Sequence, residues 1–342
     1  MTITVHSLSE ADEAAWDRFV DHCADASFYH YAGWRHAIEK TFGHRCPYLF
    51  AREDGEIKAI LPLTHISSLL FGRALISNGF CVYGGLASDS QEASQALLEA
   101  AEALARELKV DFLELRHRRR HFPDWPASDL YVTFAKAISA DEEENRRAMP
   151  RRRFKMIKKG IAFGLASVID QDTERFFPLF AESVRNLGTP VFPRRWFAAL
   201  KAVFGDRCQV LVVDKDGKPV AAVMSFIFRD QILPYYGGGG MLARDLAAND
   251  FMYWEVMRRA AESGLRHFDW GRSKVGTGAY AFKKNWGFEP LPLFYETRLF
   301  RADSLPEINP NNPKYRLMID MWRRLPLAVA NRLGPLIARN LG

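Results

Sequence analysis

Two stretches of this chain are copies of one another. Residues 34–59 read WRHAIEKTFGHRCPYLFAREDGEIKA, and residues 196–221 read WFAALKAVFGDRCQVLVVDKDGKPVA. They align without a gap at a constant offset of 162 residues, and ten of the 26 positions are identical. Chance identity at ordinary residue frequencies would give roughly two. The chain therefore contains an internal duplication, which decides the class of fold to expect.

Each copy predicts the same local structure. A tryptophan opens an amphipathic helix that ends near Phe-Gly, and the pairs Asp54-Gly55 and Asp216-Gly217 then supply the positive φ of a tight hairpin. Both copies next reach a Tyr-Gly-Gly, a long helix and a short strand that carries an acid. This order predicts a mixed α/β sheet in each half.

The duplication also suggests how the chain is organised. With 342 residues and 48% apolar content, it can build two domains with cores of ordinary size. We expect a first domain over residues 1–140, a basic connecting helix over 141–162, a second domain over 163–300 and a helical tail over 301–342. The chemistry should lie in the second domain.

Composition excludes several classes of protein. The sequence has no run of about twenty apolar residues, and its start lacks the basic and apolar regions of a signal peptide, so we expect a cytoplasmic location. The four cysteines are far apart, with no C-x-x-C pair and no histidine cluster at metal-ligand spacing. We therefore expect neither a disulfide framework nor a metal site.

Positive charge is concentrated in one short segment. The net charge is +6, and residues 146–159 alone hold eight Arg and Lys and no acid. On a helix, Arg152, Lys155 and Lys159 share a side, which would suit tRNA phosphates or a pyrophosphate. The alternative is an ordinary solvated face.

Four sequence pieces in the second half occur in a characteristic order: YYGGGG, NDFMYWEVMRRAAESG, HFDWGRS and FKKNWGF. Their order resembles the FemAB-like branch of the GNAT acyltransferase superfamily. The tail sequence MWRRLPLAVANRLGPL is similar to FemAB-like proteins associated with PEP-CTERM sorting and exopolysaccharide loci. The resemblance implies tandem duplicated GNAT-like domains of α/β (α+β) class, each a mixed, mostly antiparallel sheet flanked by helices, with a helical C-terminal tail.

The resemblance also implies an activity. Fem transferases move an aminoacyl group from charged tRNA onto an amine of a peptidoglycan precursor, whereas other branches use acyl-CoA. We expect a transferase without a cofactor that acts on an amine of a cell-envelope or exopolysaccharide precursor. Residues 241–249 contain no glycine, so they depart from the loop that binds the CoA pyrophosphate. A plain CoA-dependent N-acyltransferase and a non-catalytic RNA or sugar-nucleotide binding protein remain alternatives.

Lys283 is the predicted catalytic residue. It stands four residues before Gly287. Many GNAT enzymes have a tyrosine at the corresponding position, whereas Fem-type proteins resemble this chain in having a lysine there. A fixed cation stabilises the oxyanion that forms during aminolysis. Because a lysine is ordinarily charged at neutral pH, we favour this electrostatic role over general-base catalysis. The alternative is that Lys283 and Lys284 are both solvated residues near the negative end of their helix.

Three further candidates lie near Lys283 in sequence. Asp269 ends a strand and would orient the incoming amine or Lys283, or else cap the following turn. Arg272 would bind a phosphate or carboxylate, or else be an ordinary surface arginine. Tyr280 stands about one turn before Lys283 and is a candidate substrate contact.

Other candidate substrate-binding residues are more distant. Tyr236 precedes four glycines that would let a substrate approach the backbone. Asn249 is the predicted N-cap of the following helix. Trp34 and Tyr83 resemble the precursor-binding half of Fem proteins, although Trp34 recurs as Trp196, as a core residue would.

The tail has an amphipathic pattern. Met318, Met321, Trp322 and Leu325 share one helical face with arginines around it. This pattern fits a membrane surface, and packing on the first domain is the alternative. The partner we expect is a small-molecule or lipid-linked envelope precursor, and the donor is either aminoacyl-tRNA or an acyl thioester such as acyl-CoA. If the tail contacts a membrane, the location would be peripheral, at the inner membrane face.

Overall fold

A computed structural model of the chain describes residues 3–68, 72–304 and 313–342, with the side chains of residues 313–316 outside the described part. Residues 305–312 of the predicted tail therefore lie outside the described residues. The helices are α1 (Glu13–His22), α2 (Gly33–Phe42), α3 (Gln91–Glu107), α4 (Glu142–Arg147), α5 (Arg151–Ala162), α6 (Phe176–Leu187), α7 (Arg194–Phe204), α8 (Ala248–Glu262), α9 (Gly278–Lys284), α10 (Pro313–Arg323) and α11 (Leu327–Ala338).

The strands are mostly short. They are β1 (Ile3–Ser7), β2 (Leu49–Glu53), β3 (Glu56–Leu61), β4 (Leu63–Ser68), β5 (Gly72–Ser77), β6 (Ala87–Ser88), β7 (Phe112–His117), β8 (Ala127–Ser128), β9 (Tyr131–Thr133), β10 (Ala135–Ala137), β11 (Ala166–Asp170), β12 (Cys208–Lys215), β13 (Lys218–Phe228), β14 (Gln231–Gly239), β15 (His267–Asp269), β16 (Ser273–Lys274), β17 (Leu291–Pro292) and β18 (Phe294–Leu299).

The chain forms two compact units. The first comprises Met1–Tyr131, Pro292–Ile308 and Arg339–Gly342, and the second comprises Val132–Leu291 and Asn309–Ala338. These two units differ from the four segments that we expected from the sequence. The expected domain boundaries stay a prediction. Strand β18 lies in the first unit because it pairs along its whole length with β7.

The second unit is built on a six-stranded sheet in the order β10-β15-β14-β13-β12-β11. Its pairs are antiparallel except β14 with β15, which is parallel. Helices α5 and α8 supply Ile157, Phe251 and Met252 to a core that β12 and β13 share. Helix α6 packs on β13 and β14.

The first unit contains two sheets, β1-β2-β3-β6 and β4-β5-β7-β18-β8. The pair of β5 with β7 is parallel, and the other pairs of these sheets are antiparallel. Pro62 separates β3 from β4, because proline has no N–H to contribute to the ladder. Helix α3 packs its Leu97 and Ala101 against the first of these sheets.

The duplication survives in backbone detail. Asp54 and Gly55 have φ of 50° and 88°, and Asp216 and Gly217 have 51° and 74°, as a type I′ hairpin turn requires. A bulge falls between Ala51 and Arg52 in one hairpin and between Val213 and Asp214 in the other, again 162 positions apart. The predicted tandem α/β fold, with mixed and mostly antiparallel sheets flanked by helices, is confirmed.

The expected single helix over residues 141–162 is interrupted. Helices α4 and α5 are separated by Ala148–Pro150, because Pro150 lacks a backbone N–H and disfavours helical geometry at Met149. Helix α5 packs on α8 within the second unit, where Gly160 lies against Phe251.

The tail helices belong to the second unit. Both α10 and α11 pack on α6, rather than on the first domain as one expectation had it. In the described part of the chain, no helix combines the length and the apolarity that crossing a membrane would need.

Candidate active site

The site begins where two neighbouring strands of the second unit separate. Strands β14 and β15 pair through Gln231 with His267 and through Ile232 with Phe268. Beyond these pairs β14 follows β13 as far as Gly239, while β15 ends at Asp269. A parallel pair that opens in this way leaves a gap between the carboxyl ends of its strands.

Aromatic side chains pack at this gap. The ring of Tyr253, from α8, lies 4.4 Å from that of Trp270 and 5.8 Å from that of Phe282. A Cβ added at Gly237 of β14 would lie only 2.5 Å from the Tyr253 hydroxyl oxygen. Tyr253 thus reaches from β14 to the residue that follows β15, and its burial raises the pKa of its hydroxyl to about 12.

Lys283 lies in the last turn of α9, which Thr277 caps by accepting a hydrogen bond from the Tyr280 N–H. Its Nζ donates to the carbonyl oxygens of Trp270 and Gly271 at 2.9 Å each, and to that of Arg272 at 3.2 Å. An ammonium group has three donors, so these carbonyls occupy all of them. Lys283 thereby fixes the loop after β15.

The left-handed conformation of Gly271, with φ of 65°, turns this loop so that three successive carbonyls face one point. The ammonium group of Lys283 also lies 6.0 Å from the centre of the buried Phe134 ring. One side of the cation is therefore apolar, and the other is a row of main-chain oxygens.

Asp269 is held directly beside this loop. It is 2% exposed, and its Oδ1 accepts from the Thr133 hydroxyl at 2.8 Å and from the Gly271 N–H at 2.9 Å. Its charge acts on Lys283, so the structure brings the two predicted catalytic residues together. Asp269 also caps the turn, so its two expected roles are compatible.

The ionisation of Lys283 differs from the expectation of an ordinary lysine. Burial lowers the pKa of Lys283 to about 7; the negative charge of Asp269 opposes this change, and the positive charge of Arg272 adds to it. A lysine in this position is therefore tuned to titrate near neutrality. The prediction that it stays charged without special tuning was wrong, because sequence spacing does not reveal desolvation.

Tyr280 and Arg272 lie at the same site in different ways. Tyr280 is half-buried, with its ring edge-on to Phe134 at 5.4 Å. The side chain of Arg272 is exposed, whereas its carbonyl oxygen is the third acceptor for Lys283. Tyr280 thus shares the Phe134 ring with Lys283, and Arg272 contacts Lys283 through its main chain. The contact of either residue with a substrate stays a prediction.

Tyr236 occupies a different environment. It is 7% exposed and accepts a hydrogen bond from Trp196 Nε1 at 3.1 Å, within a cluster of phenylalanines from α6 and α7. The glycines after it accommodate the protein itself, since a Cβ at Gly238 would lie 2.6 Å from the Ser183 Cβ. Glycine is therefore required at this position by the packing of α6 on β14, without any contact to a substrate.

Asn249 is not the N-cap of α8. The cap is Ala247, in the left-handed conformation with φ of 54°, and Asn249 lies in the first turn. The preference of asparagine for the N-cap position gave the wrong cap here, because the loop before α8 forms hydrogen bonds within itself. In that loop the N–H groups of four residues donate to carbonyls of residues 240–244, and these donors are Ala243, Leu246, Ala247 and Ala248.

The start of α8 carries a buried acid. Asp250 is 7% exposed and accepts from the Arg153 guanidinium at 3.0 Å, while burial raises the pKa of Asp250 and Arg153 opposes this rise. Internally bonded N–H groups and a carboxylate are both unfavourable to a pyrophosphate at this helix end. This geometry agrees with the missing glycines of residues 241–249.

The basic helix α5 has two different sides. Arg152 and Lys155 are exposed, whereas Arg153 turns inward to Asp250. The helix starts beside the end of α9, since a Cβ at Gly287 would lie 3.1 Å from Pro150. The predicted cationic stripe therefore lies near the helix that carries Lys283.

The two candidates of the first unit are both buried, Trp34 completely and Tyr83 with 2% of its surface exposed. Trp34 is fully buried and donates from Nε1 to the Phe28 carbonyl at 3.1 Å, so its place is in the core, as its recurrence suggested. Tyr83 lines a cavity of about 340 Å³, and the guanidinium carbon of Arg118 lies 4.2 Å from the centre of its ring.

Sequence reasoning missed several residues of the site. Thr133 and Phe134 stand more than 130 positions before the residues they contact. The pair of Arg153 with Asp250 spans 97 positions. Tyr253 left a local signal, because it stands at helical spacing with Val256, Met257 and Ala260 on one apolar face of α8.

A duplicated sheet with one parallel strand pair in each unit, the second opening beside a lysine-bearing helix, defines a tandem GNAT-like fold. Residues 143–284 match the family described as Acetyltransferase (GNAT) domain, and this segment lies within the second unit. This segment of the chain is therefore similar to GNAT domains. No curated protein sequence matches the chain.

Solved structures extend the likeness to both units. The crystal structure of FemX matches with a TM-score of 0.67 at 14% identity, covering 93% of this chain and 100% of FemX. A tandem GNAT protein from the clavulanic acid biosynthesis pathway matches with a TM-score of 0.55 at 13% identity, covering 89% and 100%. L-PGS from Bacillus licheniformis matches with 0.55 at 12%, covering 92% and 98%. At such identities the likeness shows the fold.

Proposed function

We propose that this protein transfers an acyl or aminoacyl group from an activated ester or thioester to an amine, with Lys283 as the group that stabilises the transition state. One observation carries the proposal. The ammonium group of Lys283 is held by three carbonyl oxygens beside Asp269, at the opening between β14 and β15 of the segment that matches the GNAT family.

The reaction makes a specific demand on this ammonium group. The amine nitrogen of the acceptor attacks the carbonyl carbon of the donor, a C–N bond forms, and the carbonyl oxygen becomes an oxyanion. The C–O or C–S bond then breaks, and a proton from the amine passes to the leaving group. The contact of Lys283 with the Arg272 carbonyl is the longest of the three, at 3.2 Å, and is the one that an oxyanion would replace.

The donor we favour is aminoacyl-tRNA. The N–H groups before α8 are internally bonded and Asp250 brings a carboxylate there, which disfavours the pyrophosphate of CoA. The exposed cations Arg152 and Lys155 lie on the helix that starts beside α9, where they would contact the tRNA backbone. Such a donor would require a cytoplasmic reaction without a bound cofactor.

The acceptor we favour carries an anionic group. In the first unit, the cavity of about 340 Å³ is lined by Tyr83, Arg118, Arg119 and His121, and by Asp25, which pairs with Arg119. A second cavity of about 450 Å³ shares His121 and is lined by serines, glutamines and Asp89, whose polar atoms suit a sugar. A small-molecule or lipid-linked envelope precursor fits this combination. The PEP-CTERM association and an exopolysaccharide acceptor stay predictions.

A titration with two donors tests the proposal. The protein is mixed in turn with radiolabelled acetyl-CoA and with a mixture of charged tRNAs, and binding and transfer to amine acceptors are measured. Saturable binding of charged tRNA and transfer that Lys283→Met abolishes would support it. Transfer from acetyl-CoA alone would identify a CoA-dependent N-acyltransferase. Tight, salt-sensitive RNA binding with no product from either donor would favour a binding protein.

A further inference from the structure

The two tail helices expose large apolar side chains to solvent. Six of them, between 40% and 64% exposed, lie within residues 317–338, and we call them the tail surface. They are Leu317, Met318 and Met321 on α10 and Val329, Leu333 and Leu336 on α11. Of the four residues that the sequence suggested, only Met318 and Met321 belong to this surface.

The inner face of α11 carries small groups, and the inner face of α10 carries an isoleucine. On α11 the buried residues are Ala330, Gly334 and Ala338, and a Cβ at Gly334 would lie 2.9 Å from the Val191 backbone nitrogen. On α10, Ile319 contacts the backbone at Gly188 closely. A helix that only covers a core turns its large apolar residues inward, so the polarity of α11 is inverted.

The exposed residues form continuous stripes. Val329, Leu333 and Leu336 follow one another at intervals of four and three, which places them on one face of α11. Leu317 and Met321 are four residues apart on α10, with Met318 beside them. Because both helices pack on α6 through their other faces, both stripes point away from that helix.

The charges around the stripes are mainly positive. Arg323, Arg324 and Arg332 are exposed, and the acid Asp320 is paired with Arg323 at 3.2 Å. Helix α11 contains no acidic residue. Apolar side chains bordered by arginines are complementary to a lipid surface with anionic headgroups, where apolar groups enter the interface and cations meet phosphates.

We propose that the tail surface docks the protein onto a membrane that contains anionic lipids. Helices α10 and α11 have 11 and 12 residues and would lie in the plane of the interface. The proposal does not depend on the transfer reaction, because it concerns residues that are separate from Lys283 and its contacts.

Vesicle co-sedimentation of the full chain tests this proposal. Wild type should bind vesicles of equal parts phosphatidylglycerol and phosphatidylcholine, and bind pure phosphatidylcholine at least about tenfold less. The double variant Met321→Asn/Leu336→Asn should lower the partition coefficient on the anionic vesicles about tenfold or more. Arg324→Gln/Arg332→Gln should give a similar loss.

The control is Val168→Asn/Val203→Asn, which alters two exposed apolar residues of the second unit outside the tail and should bind like wild type. Circular dichroism establishes that each variant is folded. No binding by wild type, or equal binding by wild type and the Met321→Asn/Leu336→Asn variant, overturns the proposal. The proposal is also overturned if wild type forms a dimer in sedimentation equilibrium and the Met321→Asn/Leu336→Asn variant is a monomer. The tail surface would then join two copies of the chain.

Discussion

The ammonium group of Lys283 donates to the carbonyl oxygen of Gly271 at 2.9 Å, twelve residues earlier in the chain. This contact joins the end of α9 to the loop that follows β15. It also explains how a lysine near a helix end, an ordinary position for a solvated cation, becomes enclosed. The bond has consequences for activity, for pH dependence and for stability, and each can be measured.

Replacing Lys283 by methionine should lower kcat/KM about 10²- to 10³-fold, because the variant keeps the apolar stem and loses the positive charge that stabilises the oxyanion. The matched control is Lys284→Met, since Lys284 is the exposed neighbour on the same helix. It should change kcat/KM less than about twofold. Steady-state kinetics with the identified donor would compare the two, and equal losses would contradict a specific role for Lys283.

The stability of the wild-type protein should rise with pH above neutrality. The pKa of Lys283 is about 7 in the folded protein and near 10.5 when unperturbed. Between these values the unfolded chain binds more protons, so the free energy of unfolding increases with pH. Below about pH 7 both states hold the proton, and the cost of burying the charge is complete.

Urea unfolding of wild type and of Lys283→Met between pH 6 and about 10.5 would measure this effect. The difference in unfolding free energy between the two proteins should change between about pH 7 and 10.5 and be constant below about pH 7. A difference that is independent of pH would show that Lys283 titrates as an ordinary lysine.

Asp269 and Arg272 should shift the titration of Lys283 in opposite directions. Asp269 raises the pKa of Lys283, so Asp269→Asn should move the alkaline limb of kcat/KM to lower pH, by about one unit. The asparagine oxygen can still accept from Thr133 and Gly271. Arg272→Gln should move the same limb to higher pH, because Arg272 lowers the pKa of Lys283.

The exposed acid Glu289 offers a control, and Glu289→Gln should leave the limb in place. The alkaline limb reports loss of the Lys283 proton only if the ammonium form is active. A rate that instead rises through about pH 7 would assign Lys283 as a general base.

Gly237→Ala should destabilise the protein by about 1–3 kcal/mol, because its methyl group would meet the Tyr253 hydroxyl oxygen. In a Tyr253→Phe background the nearest remaining atom is the ring carbon at 3.3 Å, so part of the loss should be recovered. Thermal unfolding of both single variants and the double variant gives the coupling energy. Gly278→Ala is the control, since nothing lies within 4 Å of its Cβ position. Additive effects at Gly237 and Tyr253 would show that the two do not touch.

The sequence by itself determined the duplication, the two Asp-Gly hairpins and the helix that carries Lys283. For Trp34 it left a substrate contact and a core position open. These features follow from local periodicity and from turn residues with special φ, which neighbouring residues are enough to specify. The GNAT resemblance rested on the same local pieces, and it led to the right class of fold.

Only the tertiary structure decided the environment of Lys283, the pairing of Arg153 with Asp250 and the inverted polarity of α11. Each depends on residues that are distant in the chain, since Asp269 is held by Thr133, which lies 136 positions away. Desolvation and Coulomb interactions depend on what surrounds a group in space. A lysine therefore has the same appearance in a sequence whether it is solvated or enclosed by three carbonyl oxygens.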